Sequence, residues 1–390
     1  MTPRLILYWL ATVAVLTIAI DFEALGVSFA SVVQKGALFT ILLTNGLLAR
    51  GPSVLMNPPN AIILSAILLS MVFGTGAGEF GAIETAARAL VLLLTITAAL
   101  RGGMDFGVPF NLKLLRSIQL LPLICVTAGL ALVPLGVEIG RIEGGVFRIS
   151  GASSPAHLAM LCCGSIAASS LLFVADEKSS RPFFAVVALA ILILTGARVA
   201  FVVGLIAGLP LVAYFVRIRS VARLLAAFCT ALIVPVVAFF GIQRLLTRSL
   251  NNDGQLVTSG RDVAWQFFYE RYQESPLFGH GLGSVLEMRL LTTDYRIQFF
   301  HVPHNEYLRF LVDLGAIGLL LFVISQLMIF VWVSRRMVHK VWFFVISGAH
   351  AGYAYFDNVY GTVQYLPYFM VIGLAVGDSI RRVQPQDLEG

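Results

Sequence analysis

The sequence predicts an all-α fold, a polytopic bundle of about twelve membrane-spanning helices with one long polar loop. The composition is the first reason, because 58% of the 390 residues are hydrophobic and only 12% are charged, whereas a soluble domain carries about 25% charge. The second reason is that apolar runs of about 18 or more residues recur along the chain, and each can cross a hydrocarbon core of ~30 Å. A membrane β-barrel would instead show segments of ~10 alternating residues.

The predicted spans, in chain order, are residues 4–20, 27–49, 59–74, 82–100, 117–137, 156–175, 182–197, 199–216, 221–241, 305–334, 340–356 and 363–380. The first is predicted to be an uncleaved helix, because no small-residue cleavage site precedes Asp21. Only Arg198 separates residues 182–197 from 199–216, so these form either a tight hairpin or one broken helix. The chain thus divides into helices in 1–241, a loop subdomain in 242–304 and helices in 305–390.

Lysine and arginine predict the orientation, since they concentrate in cytoplasmic loops. With the N-terminus inside, the connections on that side carry Arg4, Arg50, Arg101, Lys113, Arg116, Lys178, Arg181, Arg217, Arg219, Arg223, Arg335, Arg336, Lys340, Arg381 and Arg382. Connections on the other side are acidic at Asp21, Glu23, Glu79 and Glu84. Both termini are therefore predicted to be cytoplasmic and residues 242–304 periplasmic.

On the predicted outer face, arginine supplies all of the positive charge. It carries Arg141, Arg148, Arg198, Arg244, Arg248, Arg261, Arg271, Arg289, Arg296 and Arg309, and no lysine. A guanidinium grips phosphate or carboxylate oxygens in pairs, whereas an ammonium acts as a point charge. The pattern indicates an anionic ligand on this face. Contacts with lipid headgroups or nearby carboxylates are the alternative reading for any single arginine.

The long loop contains a predicted helix and a glycine-rich turn. Arg261, Trp265, Phe268 and Tyr272 recur at helical spacing over 261–272, which fits a helix lying in the membrane interface or one packed on the bundle. The run from Gly279 to Gly283 is no dinucleotide fingerprint, because no strand precedes it. It predicts a tight loop whose backbone at Gly281 can approach a ligand.

The end of this loop contains the candidate proton acceptor, His304. Histidine is the usual side chain for proton transfer near neutral pH. Asn305 follows as a predicted N-cap of an apolar helix, and a helix N-terminus attracts anions. The alternative for His304 is a structural role, as a helix cap or in contact with a lipid headgroup. His301 and His280 are rivals for the role, while His157 is predicted to be a hydrogen-bonded packing residue.

Two further arginines complete the predicted anion site. Arg198 lies in Thr-Gly-Ala-Arg between two apolar runs, where a charge is costly unless it faces a polar cavity or a bound anion. Arg148 opens a polar approach to the sixth span and is expected to line the same cavity. The alternative for Arg198 is that it only marks a simple outer turn.

Arg309 and Asp313, at i,i+4 spacing, are expected to neutralise each other.

These motifs together resemble the O-antigen ligase and repeat-unit polymerase (Wzy-type) superfamily of bacterial polysaccharide assembly. The matching pieces are Arg148-x-Ser-Gly, Gly196-Ala-Arg198, Ser259-Gly-Arg261-x3-Trp265, Pro276-Leu-Phe-Gly279-x-Gly281-x-Gly283, and His304-Asn-x-x-Leu308 with Gly315-x-x-Gly318-Leu. Residues 196–322 carry the specificity, and the last motif is the distinctive one. The chain departs from the pattern after Gly151, where it lacks an asparagine often found in the family.

The resemblance implies a GT-C-like helical glycosyltransferase in the bacterial inner membrane, with its active site facing the periplasm. The implied donor is a glycan on undecaprenyl pyrophosphate, held by Arg198 and Arg261. His304 would deprotonate the acceptor hydroxyl, and transfer would invert the anomeric carbon. No metal or other cofactor is implied, and no nucleic acid. Membrane lipids, an acceptor glycan or lipid A–core, and a chain-length regulator are the expected partners.

The resemblance does not identify the acceptor that receives the glycan. A polymerase of repeat units is slightly favoured over a ligase to lipid A–core, and relatives that glycosylate proteins share the motifs. A flippase for the same lipid-linked sugars is the competing class. Such transporters often carry internal repeats and charges near the midplane, whereas this sequence shows no repeat and places most charges at span ends. A non-catalytic scaffold would leave the arginines unexplained.

Overall fold

The structure is a computed structural model that describes residues 3–23, 25–54, 56–74, 80–143, 146–175, 182–216, 261–291, 302–337, 340–357 and 359–375. Its elements in chain order are α1 (Pro3–Thr17), α2 (Ser28–Arg50), α3 (Pro58–Phe73), α4 (Phe80–Ala98), α5 (Val108–Leu132), β1 (Gly140–Glu143), β2 (Val146–Ile149), α6 (Pro155–Ala175), α7 (Pro182–Thr195), α8 (Arg198–Val216), α9 (Arg261–Glu274), α10 (Ser284–Leu291), α11 (Glu306–Arg336), α12 (Lys340–Phe356) and α13 (Leu366–Leu374). One-turn helices occur at Gly51–Val54, Ala99–Gly103, Val133–Leu135, Val359–Gly361 and Val363–Tyr365.

The protein is an all-α membrane protein, with one antiparallel hairpin formed by β1 and β2 in the described chain. Four described helical stretches are long and apolar enough to cross a membrane, at Phe29–Val54, Pro109–Leu135, Pro155–Val174 and Glu306–Arg336. The predicted span 221–241 and residues 242–260 and 292–301 of the loop lie outside the described residues. Twelve spans, the GT-C-like fold and the three-part division of the chain therefore stay predictions.

Helices α7 and α8 form the tight hairpin, the first of the two predicted alternatives. The turn uses Gly196 with a φ of 65°, in the left-handed region that favours glycine. Gly204 of α8 lies against Leu192 of α7, so the helices run back along each other. Both pack on α6, and Arg198 is consequently held at one end of the bundle.

Helix α9 packs on the bundle rather than standing apart from it. Its Phe267 and Phe268 are buried in a small core with Leu308 and Val312 of α11 and Val285 of α10. The aromatic spacing that also fits an interfacial helix therefore covers the start of α11 here. This packing places the first residue of α9, Arg261, beside the end of α12.

Helix α11 is kinked at Gly315, where the backbone has a φ of 69° and a ψ of −177°. The glycine-rich loop docks into this kink: the Gly281 amide donates to the Asp313 carbonyl over 2.8 Å. A Cβ on Gly315 would lie 2.3 Å from the Leu277 carbonyl oxygen, so only glycine allows the two backbones to approach so closely.

Candidate active site

His304 lies in a rigid turn directly before α11. Its φ is 46°, a left-handed value that no other described non-glycine residue adopts and that carries a strain of about 1–3 kcal/mol. Asn305 is the N-cap, and its side-chain oxygen accepts from the Leu308 amide over 3.0 Å. The Trp265 indole donates to the carbonyl of Pro303. The turn is thus fixed on both sides of the imidazole.

A carboxylate from the end of α12 orients the imidazole of His304. Nδ1 lies 3.0 Å from Oδ1 of Asp357, and the Tyr353 hydroxyl donates to the second oxygen of Asp357 over 3.4 Å. The carboxylate favours the tautomer with its proton on Nδ1, so Nε2 becomes the basic nitrogen. The His304 side chain is 31% exposed and that of Asp357 13%. The base is therefore open to a substrate while its orienting partner is shielded.

Asp357 was missed by sequence reasoning. It lies 53 residues from His304 along the chain, directly after an apolar helix, and it has no motif of its own. The signal available in the sequence was an acidic residue at the outer end of a predicted span. That signal was overlooked because the acidic residues considered as arginine partners lay in the long loop.

Arg261 connects the His304–Asp357 pair to the predicted anion site. Its Nη1 donates to the carbonyl of Phe356 over 2.9 Å, one residue before Asp357. Its charge also acts on Tyr353, the residue that donates to Asp357. A guanidinium thus lies beside the candidate base without forming an ion pair of its own with Asp357 in any contact described.

Arg198, Arg148 and Arg261 come together at this end of the bundle. Arg148 projects from β2 and its Nε donates to the Thr195 carbonyl over 2.6 Å, at the turn that places Arg198. The charges of Arg261 and Arg148 both act on Arg198. Grouping three guanidiniums costs electrostatic repulsion, which a bound anion offsets. We refer to these three residues as the arginine cluster.

The remaining predicted site residues have other positions. Asn305 is 6% exposed and serves as the helix cap. Gly281 contacts the backbone of α11, and the neighbouring His280 bonds through Nε2 to the Arg271 carbonyl over 2.7 Å. Neither loop residue contacts His304 or the arginine cluster in the contacts described. His301 lies outside the described residues.

Arg309 does not contribute to the anion site, because it is buried within α11. Its Nη1 lies 2.9 Å from Oε1 of Glu306 and its Nε lies 3.7 Å from Oδ2 of Asp313. The predicted pairing with Asp313 is present, and Glu306 is the closer partner. The other Asp313 oxygen accepts from the Ser284 hydroxyl and the Val285 amide, at the start of α10. This ion group therefore fastens α10 to α11 behind the candidate base.

A second imidazole–carboxylate pair links the first helix to the sixth. Nδ1 of His157 is bonded to Oδ2 of Asp21, which also accepts from the Ser153 hydroxyl over 3.4 Å. The structure thus gives His157 the hydrogen-bonded packing role that the sequence predicted. The pair holds the connection after α1 against the start of α6.

Chemically, this end of the bundle combines an oriented base with a concentrated positive charge. Such an arrangement can remove a proton from a hydroxyl and stabilise a phosphate leaving group. The fold is that of an integral membrane protein, and the arrangement at this end of the bundle is suited to group transfer from a phosphate-bearing substrate.

Comparison with known families confirms the resemblance found in the sequence. Residues 183–323 match the family model described as O-antigen ligase (Wzy_C), and this segment contains Arg198, Arg261 and His304. Arg148 and Asp357 lie outside the matched segment. No curated protein matches the chain. The O-antigen ligase and Wzy superfamily is therefore supported by the part of the chain that carries most of the candidate site.

Proposed function

We propose that the protein is a membrane glycosyltransferase that moves a glycan from undecaprenyl pyrophosphate to a sugar hydroxyl on the periplasmic side, as a polymerase of repeat units. The observation that carries this proposal is the position of Arg261, which joins the His304–Asp357 pair to the arginine cluster. A base and a pyrophosphate site must be neighbours, because the acceptor oxygen that the base deprotonates attacks the same carbon that the pyrophosphate leaves.

In the proposed reaction, Nε2 of His304 removes the proton of the acceptor hydroxyl as its oxygen attacks the anomeric carbon. The bond between that carbon and the pyrophosphate oxygen breaks on the opposite face, so the configuration inverts. Asp357 stabilises the imidazolium that forms. The proton leaves His304 for water after the product departs.

The arginine cluster acts on the leaving group. Negative charge grows on the bridging oxygen as the glycosidic bond breaks, and prepositioned donors stabilise such charge most where water is excluded. Paired guanidinium contacts also fix the phosphate oxygens in place. This division of labour assigns proton transfer to His304 and leaving-group stabilisation to Arg198, Arg261 and Arg148.

A transferase differs from a flippase because it forms a covalent bond. That activity can be measured in detergent, where no membrane separates two compartments. Purified protein in detergent micelles would be given a radiolabelled repeat unit on undecaprenyl pyrophosphate, and products would be separated on a gel. A ladder of longer glycans is expected. If the labelled donor remained unchanged with correctly folded protein, the transferase proposal would be contradicted.

The second candidate is a ligase, which the description of the matched family favours. Lipid A–core added to the same reaction separates the two functions. A polymerase builds the ladder with or without lipid A–core, whereas a ligase gives a labelled band only when lipid A–core is present. Labelling of an added protein would instead identify a protein O-glycosylating enzyme.

A further inference from the structure

The opposite end of the bundle from His304 contains a cluster of three arginines on one tryptophan. The Cζ atoms of Arg101 and Arg336 each lie 4.3 Å from the centroid of the Trp332 ring, and that of Arg50 lies 5.7 Å away. Trp332 lies in the second arm of α11, beyond the kink at Gly315 and about 26 Å along the helix from it. This group is called the Trp332 cluster below.

Three separate elements build the Trp332 cluster, so no local sequence pattern produces it. Arg50 ends α2, Arg101 lies in the π-helical turn Ala99–Gly103, and Arg336 ends α11. The Asn45 side chain donates to the Gly103 carbonyl over 2.9 Å, which fastens the π-helical turn to α2. Single π-helical turns are frequently found at functional sites.

The cluster concentrates positive charge without a neutralising partner in the described chain. Within those residues none of the three guanidiniums makes an ion pair, and the charges of Arg336 and Arg50 both act on Arg101. Arg101 donates to the Ser53 carbonyl over 3.3 Å and Arg336 to the Trp332 carbonyl over 3.4 Å. The tryptophan ring attracts each cation but carries no net charge to neutralise it.

We propose that the Trp332 cluster binds the phosphate headgroup of an anionic glycerophospholipid. Guanidiniums match phosphate oxygens in pairs, and tryptophan is enriched where apolar core meets headgroups. The last turns of α2 and α11 expose apolar side chains beside the cluster, Leu48 at 53% and Val331 at 44%. A phosphate on the arginines would leave its acyl chains against this apolar surface, which a free phosphate would not use.

The proposal is independent of the glycosyltransferase proposal and is tested by lipid binding alone. Purified full-length protein in detergent would be titrated with phosphatidylglycerol, phosphatidylcholine or inorganic phosphate, and bound lipid would be counted by native mass spectrometry beside the melting temperature. Phosphatidylglycerol is expected to bind and stabilise, and the other two are not. Equal stabilisation by inorganic phosphate would mean a site for a soluble anion and would overturn the lipid assignment.

Matched variants separate a built site from general attraction of lipid to a basic surface. Arg336→Gln and Trp332→Leu are expected to weaken phosphatidylglycerol binding, the arginine variant by about fivefold. Arg335→Gln removes the same charge one residue away, outside the cluster, and is expected to bind as the unaltered protein does. Arg336 is exposed at the end of α11, so its loss is expected to be tolerated even where Arg101→Gln disturbs folding. Equal weakening by Arg335→Gln and Arg336→Gln would overturn the proposal.

Discussion

Nδ1 of His304 lies 3.0 Å from Oδ1 of Asp357, although 53 residues separate them in the chain. This pairing orients the imidazole of the candidate base, because the carboxylate fixes the tautomer and the direction of Nε2. It also extends the candidate site to α12, beyond the segment that matches the family model.

Asp357→Asn is expected to lower the transfer rate by roughly 10²- to 10⁴-fold, because an amide no longer fixes the tautomer or stabilises the imidazolium. The rate of purified protein would be measured beside its melting temperature. Asp357→Glu should recover part of the rate. Glu23→Gln removes an exposed carboxylate that pairs with Lys35 and should leave the rate unchanged. A normal rate in Asp357→Asn would show that the pair has no part in the reaction.

His304→Asn is expected to keep the fold and lose activity by roughly 10²- to 10⁴-fold. Asparagine tolerates the left-handed backbone that His304 adopts with a φ of 46°, but it cannot accept the proton. His280→Ala loses a hydrogen bond to the Arg271 carbonyl and should lower stability more than rate. Full-length polysaccharide from cells that carry His304→Asn, with normal protein on an immunoblot, would remove the catalytic assignment.

Arg198→Lys and Arg261→Lys should each lower the rate by about 10- to 100-fold although the charge is kept. The reason is that the lysine ammonium cannot grip two phosphate oxygens together, and a charged hydrogen bond contributes about 1.5–3 kcal/mol. Arg271→Lys is the matched control, since Arg271 pairs with Glu274 over 2.6 Å on an exposed helix face. Near-normal rates in both cluster variants would show that charge alone suffices.

Gly315→Ala should destabilise the protein by about 1–3 kcal/mol, since the new Cβ would meet the Leu277 carbonyl at a left-handed backbone position. The melting temperature in detergent is the measurement. Gly348→Ala and Gly352→Ala in α12 add the same methyl group where no atom lies within 4 Å. These controls should be neutral or slightly stabilising. Equal melting temperatures for all three variants would contradict the tight docking of the glycine-rich loop.

The predicted orientation is tested by labelling single cysteines introduced as Gln255→Cys and Gln386→Cys. An impermeant maleimide added to intact spheroplasts should label the first and not the second, because the basic residues predict a periplasmic loop and a cytoplasmic C-terminus. Of the four native cysteines, Cys125, Cys162 and Cys163 are buried and contribute little background, and Cys229→Ser removes the fourth. Labelling of position 386 in intact cells would reverse the orientation.

Several features of the site follow from local sequence and were predicted without the structure. Asn305 was expected to cap a helix and does so through the Leu308 amide. The single charged residue between two apolar runs at Arg198 left a tight hairpin and a broken helix both open, and the structure forms the hairpin with Gly196. Helix α5 shows where hydropathy misleads. The helix begins at Val108, whereas the predicted span began at residue 117, because the charged residues Lys113 and Arg116 in its first turns lower the hydropathy there.

The sequence by itself determined that this is a helical membrane protein and where α11 is capped, because composition, apolar run length and helix caps depend on neighbours along the chain. Only the tertiary structure decided which side chains from distant parts of the chain meet. It placed Asp357 on His304 and gathered Arg50, Arg101 and Arg336 on Trp332. These contacts join distant helices, and their geometry is set by packing that no local pattern encodes.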